Sequence, residues 1–270
     1  MIYILYHHPC QDGFGAAYSA WKKFGANAKY VGVNYGKPFP EIPDASEVFI
    51  VDFSYPKDIL VELSKKVKLT VLDHHVTAEK DLAGLDFAQF DMKRSGAGMA
   101  WDYFHPDKPR PWLINYIEDR DLWRHSLENC HEIIAALFSF PEDFNLWDKF
   151  EKAELLNQGK AILRYKGIVI DEMCVNAKTV KMFGFDNVVI VNASSSLVSD
   201  IGNRLLEKHP QAPFVAVYYD TKGGQRKWSL RSNDQKENVE VLAAKMGGGG
   251  HRNAAGFLEK EIGDVFKLNL

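Results

Sequence analysis

Three short apolar runs near the amino end each stop at a carboxylate or an imidazole, and no other feature restricts the fold as much. Residues 2–6 run into His7-His8-Pro9-Cys10-Gln11-Asp12, residues 48–51 into Asp52, and residues 69–72 into Asp73-His74-His75. Apolar runs of this length bounded by polar groups read as buried strands. Residues 14–21, rich in small side chains, read as a helix packed closely on a sheet. Residues 30–33 form a further strand, and Ser54 and Pro56 open a second helix that runs to about Lys65. Strand alternating with helix predicts an α/β domain on a parallel sheet. Ligands of open sheets of this kind bind at the carboxyl ends of the strands. Imidazoles and carboxylates at that end of three successive strands point to a metal or phosphate site.

Beyond residue 90 the pattern turns helical. Ser95-Gly96-Ala97-Gly98 reads as a capped, tightly packed helix start, and a helix over 110–118 ends in the acidic cluster Glu118-Asp119-Arg120-Asp121. Residues 128–150 keep helical spacing with several aromatics and read as packed core. His105, His125 and His131 lack ligand spacing and read as surface or core residues. Leu155, Leu156, Ile162, Tyr165 and Ile168 recur at three- and four-residue steps, which predicts one long connecting helix. A second α/β pattern follows, with strands over 188–191 and 214–218, a helix from Ser194 to about Lys208, a hairpin partner over 227–231 and a helix over 238–246. The expected division is therefore a first domain over 1–150, a helical connector over 151–180 and a smaller α/β domain over 181–270.

The last domain contains Gly247-Gly248-Gly249-Gly250-His251-Arg252-Asn253-Ala254-Ala255-Gly256. Glycines expose backbone amides without side-chain obstruction, and His251, Arg252 and Asn253 add donors, a combination suited to binding an anion.

A net charge of -3 over 270 residues argues against a protein that holds nucleic acid by bulk electrostatics. Cys10, Cys130 and Cys174 have no paired spacing, so neither a disulfide framework nor a zinc finger is expected, and a reducing compartment is. No apolar run approaches a membrane span. The amino terminus reads as a strand and not a leader, so a cytoplasmic location is expected.

The residues alone describe a hydrolase. His8, Asp12, Asp52, His74 and Asp119 form a donor set for two divalent cations with a shared carboxylate, a device that activates water for in-line displacement at phosphorus. Mixed Asp and His ligation suits Mn²⁺. A glycine-rich, Arg-bearing second domain would grip the rest of a phosphorylated substrate.

Asp73-His74-His75 and the downstream glycine-rich segment, in this order, resemble the two signatures of the DHH-family phosphoesterases that carry the DHH-associated carboxyl-terminal domain, and the resemblance covers nearly the whole chain. It implies a two-lobed enzyme with its active site in the cleft and two manganese ions, Mg²⁺ or Co²⁺ being alternatives. Asp52 matches the carboxylate ending an early strand, and Asp73-His74 the third motif. His75 would position the substrate or the attacked phosphate. Asp119 fits the fourth motif, with Asp121 close beside it. Arg231 and His251, with Gly249, Gly250 and Asn253 around them, fit the substrate-binding positions of the associated domain. The first motif departs from the family pattern: with Asp12 aligned on its second aspartate, Cys10 stands where the first is usual. His8 then has the spacing of the motif's histidine, and His7 is the competing ligand.

The resemblance further implies a phosphodiesterase or phosphatase for a phosphorylated nucleotide or a short single-stranded oligonucleotide, like the compact nanoRNase-like members. A homodimer is compatible with this expectation. A polyphosphate or pyrophosphate hydrolase and a non-catalytic nucleotide-binding protein are the alternatives.

Overall fold

The strand signals near the amino end produce a five-stranded, all-parallel sheet in a computed structural model that describes residues 1–259. Residues 260–270, part of the expected carboxyl-terminal domain, lie outside the described residues. The chain divides into two units, Met1–Leu163 and Arg164–Leu270.

The first unit runs β1 (Ile2–His7), α1 (Gln11–Phe24), β2 (Ala28–Val33), β3 (Glu47–Val51), α2 (Lys57–Ser64), β4 (Lys68–Asp73), α3 (Val76–Asp81), β5 (Ala88–Phe90), α4 (Gly96–Phe104), α5 (Trp112–Asp121), α6 (Cys130–Leu137) and α7 (Phe144–Trp147). A long helix, α8 (Lys152–Val175), begins in this unit and ends in the next. The sheet order is β2-β1-β3-β4-β5. Side chains alternate across each strand, so Ile4, Phe49, Val51 and Leu72 pack against Ala16, Ala17 and Ala20 of α1 and Met99 and Ala100 of α4. Tyr3, Leu5, Val48, Ile50 and Val71 face the other way, onto Leu60 and Leu82. A sheet buried on both faces explains why its strands read as continuous apolar runs.

A separate cluster joins Phe14 and Trp101 to α5, α6, α7 and Leu155 of α8. The helical spacing over 128–150 is split into α6 and α7, with Pro141 between them; proline supplies no N–H to continue a helix. The short edge strand β5 carried no expectation, and its three residues are too few for a periodic signal.

In the second unit, β6 (Lys178–Met182), β7 (Phe185–Asn192), α9 (Val198–Lys208), β8 (Val215–Asp220), β9 (Arg226–Arg231), α10 (Val239–Lys245), β10 (Gly249–His251) and β11 (Ala254–Glu259) follow in order. The sheet is β10-β11-β9-β8-β7-β6, and β7–β8 is parallel while the other pairs are antiparallel. Trp228, Phe214, Leu230 and Phe257 pack with Val239 and Leu242 of α10 on one face. Val189, Val191, Val215 and Val217 pack with α9 and the end of α8 on the other.

The glycine run is a hairpin, not an open loop: β10 pairs with β11 in the register Gly249↔Gly256 and His251↔Ala254. Gly247 takes φ +72 after α10, and a Cβ on Gly248 would strike the Gly256 carbonyl and Phe257. No described helix is long and apolar enough to cross a membrane.

Candidate metal centre

Parallel pairing brings the ends of β1, β3 and β4 to one edge. The registers Tyr6↔Val51 and Val51↔Leu72 set His7, Asp52 and Asp73 at adjoining positions just beyond them. Asp52 is 1% exposed and takes φ +55, a left-handed conformation, while its N–H donates to the Leu72 carbonyl at 2.9 Å. Asp is one of the few residues that tolerate this region. The turn aims the carboxylate between two imidazoles: Oδ1 lies 3.1 Å from His74 Nε2 and Oδ2 3.5 Å from His7 Nδ1. Both Asp52 Oδ2 and His7 Nδ1 are buried with no hydrogen-bond partner.

His74 Nε2 also lies 3.6 Å from Asp12 Oδ2 and 3.7 Å from Asp121 Oδ2. Asp12, in the first turn of α1, accepts hydrogen bonds from the N–H groups of Gly96 (2.6 Å) and Ala97 (2.9 Å) at the start of α4. That helix approaches so closely that a Cβ on Gly96 would overlap the Asp52 side chain. Among the described residues, three donor groups with ligand atoms within 4.8 Å of one another result: His7, Cys10 and Asp52; Asp52, His74 and His75; and Asp12, His74 and Asp121. A void of about 20 Å³ is lined by Cys10, Asp12 and Asp121 among others.

Asp73 has a different task. Fully buried, it accepts from the Ser54 hydroxyl (2.6 Å), the His74 N–H (2.7 Å), the His75 N–H (3.2 Å) and His75 Nδ1 (2.6 Å). It thus fixes the backbone and the ring that follow the strand. The Tyr35 ring packs edge-on against His7 (5.4 Å) and His75 (6.3 Å) and is half exposed.

The carboxylates and imidazoles of this cluster shift one another's proton affinities. Burial, then the charges of Asp52 and Asp121, push the Asp12 carboxyl well up, and burial also raises Asp121. Burial would raise Asp52 as well, but His7 and His74 outweigh it and hold that carboxyl down at about 2. Burial disfavours a charged His74, yet Asp52, Asp12 and Asp121 raise it to about 9. His75 is raised chiefly by its hydrogen bond to Asp73. Burial and Asp52 push the Cys10 thiol up to about 12. Three carboxylates that repel one another in a buried site, with two orphaned polar atoms between them, fit a bound cation. The donor set of imidazole, carboxylate and one sulfur is chemically suited to it.

Of the expected donors, Cys10, Asp12, Asp52 and His74 are gathered here. His8 is not: it lies past the end of β1, and its Nδ1 pairs with Glu142 Oε2 at 2.8 Å. His7, the last strand residue, occupies the cluster instead. Asp119 is not gathered either: its carboxylate accepts from the Ser126 hydroxyl (2.6 Å) and the N–H groups of Ser126 and Leu127 (both 3.0 Å). Asp121 faces the cluster from the end of α5. Tyr35 and the amides of Gly96 and Ala97 had no sequence expectation as site residues. The Ser95-Gly96 cap signal marked the helix start that supplies those amides, while nothing marked Tyr35.

In the second unit, Arg231 ends β9, and its guanidinium donates to the Ser199 hydroxyl (2.7 Å) and the Leu230 carbonyl (2.9 Å). Gly249, Gly250 and His251 are exposed on β10. Asn253 donates to Asp234 at 2.7 Å, leaving its Oδ1 buried without a partner. The larger hollow of the first unit, about 710 Å³ among Phe39, Ile42, Ile59 and Leu63, includes none of the gathered donors.

No family model matches the sequence. Over 94% of its length the chain is 32% identical to protein R106 of Acanthamoeba polyphaga mimivirus, of which it spans 66%. It is 25% identical over 98% of its length to oligoribonuclease NrnB of Bacillus subtilis, spanning 75% of that protein. Among solved structures, the fold is shared with the pGpG-specific phosphodiesterase PggH of Vibrio cholerae (TM-score 0.58, 13% identity, 98% of this chain and 95% of that one). It is shared too with RecJ of Thermus thermophilus in complex with Mn²⁺ (0.54, 15%, 98% and 50%). The DHH domain of PF0399 also matches (0.52, 14%, 100% and 87%). The fold is common to these proteins along the length of the chain, the carboxylates and imidazoles gather at its strand ends, and the sequence relationship to NrnB is equally extensive: the chain has the fold of DHH-domain proteins.

Proposed function

We propose that the chain is a divalent-metal-dependent phosphoesterase that hydrolyses phosphodiester or phosphomonoester bonds of short oligonucleotides or small phosphorylated nucleotides. The observation that carries this reading is the convergence of Asp12, Asp52 and Asp121 with His7 and His74 around buried, unpartnered polar atoms. Mn²⁺ is the first cation to test, in view of the donor set and the Mn²⁺ complex of RecJ. A bound cation pair would activate water and neutralise charge developing at phosphorus. The relationship to an oligoribonuclease over 98% of the chain makes a short oligoribonucleotide the leading substrate.

The protein's own groups have definite parts in this proposal. Asp12 is locked by the two amides of α4, so its oxygens keep their aim when a cation arrives or leaves. Asp73 holds His75 at Nδ1 and so leaves Nε2 as the free ring nitrogen, from which a raised proton affinity lets it donate to a phosphoryl or leaving oxygen. Tyr35 restricts the rings of His7 and His75. Residues 1–150 would be the catalytic domain, 151–180 the connector and 181–270 the substrate-binding domain, with Arg231, Gly249, Gly250, His251 and Asn253 as its anion-binding groups. A cytoplasmic location and a homodimer belong to the same proposal.

The test is a panel of a short RNA, phosphoadenosine phosphate, a cyclic dinucleotide and polyphosphate, each incubated with Mn²⁺. Turnover of the short RNA or phosphoadenosine phosphate, lost at least about 100-fold in Asp52→Ala and His74→Ala, is expected. Turnover of polyphosphate alone, or binding without turnover of any substrate, would replace this reading with one of the two alternatives.

A further inference from the structure

We propose that Cys10 is a thiolate ligand and that the centre is chemically asymmetric: His7, Cys10 and Asp52 take a thiophilic cation such as Zn²⁺ or Co²⁺, and Asp12, His74 and Asp121 take a harder one such as Mn²⁺ or Mg²⁺. This rests on the metal-centre reading above and deepens it.

The two donor groups differ in kind. The first offers one nitrogen, one sulfur and one oxygen, the second one nitrogen and two oxygens. Thiolate selects softer borderline metals, while carboxylate oxygens suit Mn²⁺ and Mg²⁺. The cysteine does not stand alone. Asp52 is 1% exposed and its Oδ2 has no hydrogen-bond partner, nor has the buried His7 Nδ1 3.5 Å away. An unpaired buried carboxylate oxygen is costly, and a ring nitrogen of His7 and a carboxylate oxygen of Asp52 each lie within 4.8 Å of Cys10 Sγ. The other oxygen of Asp52 faces His74, a donor of the Asp12, His74 and Asp121 group. One carboxylate is therefore presented to both halves and would be available to a cation in either. On binding, the Cys10 thiol would release its proton to solvent and the sulfur would take its place on the cation.

The consequence concerns selectivity. With equal supply of a thiophilic and a hard cation, the full chain should bind one of each. Replacing Cys10 by an oxygen donor should remove the distinction between the halves.

The experiment uses the full chain stripped with a chelator and titrated with Co²⁺. A near-ultraviolet charge-transfer band from sulfur to Co²⁺, saturating at one equivalent, is expected. It should vanish in Cys10→Asp and Cys10→Ser, and persist in Cys174→Ser, a cysteine buried in the second unit. Native mass spectrometry in mixed Zn²⁺ and Mn²⁺ should give one ion of each for the natural chain and two Mn²⁺ for Cys10→Asp, with Zn²⁺ affinity lowered at least about 10-fold. Two cobalt ions bound with no sulfur band would overturn this inference while leaving the metal centre standing. No cation bound at all would overturn both.

Discussion

Asp119 and Asp121 can be exchanged one at a time to separate the carboxylate that folds the chain from the one that faces the donor cluster. Two residues apart on α5, they point about 200° away from each other. Asp119, 3% exposed, accepts three hydrogen bonds from Ser126 and Leu127. Burial would raise its carboxyl, but these donors outweigh it and hold it at about 2 against an ordinary 3.8. At about 1.4 kcal/mol for each tenfold change in proton affinity, that difference is worth about 2 kcal/mol of stability. Its sign is that of a depressed carboxylate: the contribution is present above pH 3.8 and lost as pH falls through about 2. Asp119→Ala should therefore lower the melting temperature of the chelated protein by roughly 4–8 °C.

Asp121 is held up by burial and by Asp52, so Asp121→Asn relieves repulsion and should leave the chelated melting temperature unchanged or higher. Added Mn²⁺ completes the comparison. At about 100 times the dissociation constant a cation stabilises by about 2.7 kcal/mol. Asp119→Ala should keep that gain, and Asp121→Asn should lose at least about half of it, the equivalent of a tenfold weaker site. Differential scanning fluorimetry with chelator or Mn²⁺ measures both effects. If Asp119→Ala abolished the Mn²⁺ gain while melting normally, and Asp121→Asn changed neither quantity, the assignment of the two carboxylates would be refuted.

His7→Ala should weaken Zn²⁺ at least about 10-fold by calorimetry. His8→Ala, which removes a partly exposed pair with Glu142, should cost at most about 1 kcal/mol of stability and leave Mn²⁺ affinity unaltered. Gly96→Ala drives a Cβ into Asp52 and should abolish calorimetric Mn²⁺ binding, whereas Gly167→Ala, with open space around it, should not. His105 stacks on Trp101 at 4.2 Å and binds the Ser19 carbonyl through Nε2 at 2.9 Å, and burial lowers its proton affinity below the ordinary 6.5. A depressed histidine loses its contribution as pH falls below that value. Urea denaturation of the natural chain should therefore show a steeper loss from pH 7 to 5 than His105→Phe, a variant about 1 kcal/mol less stable at pH 7 for want of one hydrogen bond.

Local pattern and tertiary packing contributed different parts of this molecule. Apolar runs at 2–6, 48–51 and 69–72 specify buried parallel strands because a sheet covered on both faces needs continuous hydrophobicity. Polar residues immediately after them must then gather at one edge, so Asp12, Asp52 and His74 were legible from position as members of the donor cluster, whereas Cys10 entered only through the family resemblance. The hairpin of β8 and β9 was legible from its glycine turn. By contrast, the glycine run reads from sequence as an anion-binding segment, and only its pairing with β11 makes part of it a strand.

The choice between neighbours was beyond the sequence. His7 and His8 differ in whether the side chain still belongs to β1 or has passed into the turn, where Glu142, 134 positions later, captures it. Asp119 and Asp121 differ in helical phase, and the loop that follows α5 decides which one is capped by backbone amides. Tyr35 reaches the site from a turn-rich segment with no periodicity. Chain-local chemistry thus determined the strands, the edge and the kinds of ligand. Tertiary structure decided which of two adjacent histidines and which of two nearby carboxylates face the donor cluster, because that depends on partners distant in sequence competing for the same polar atoms.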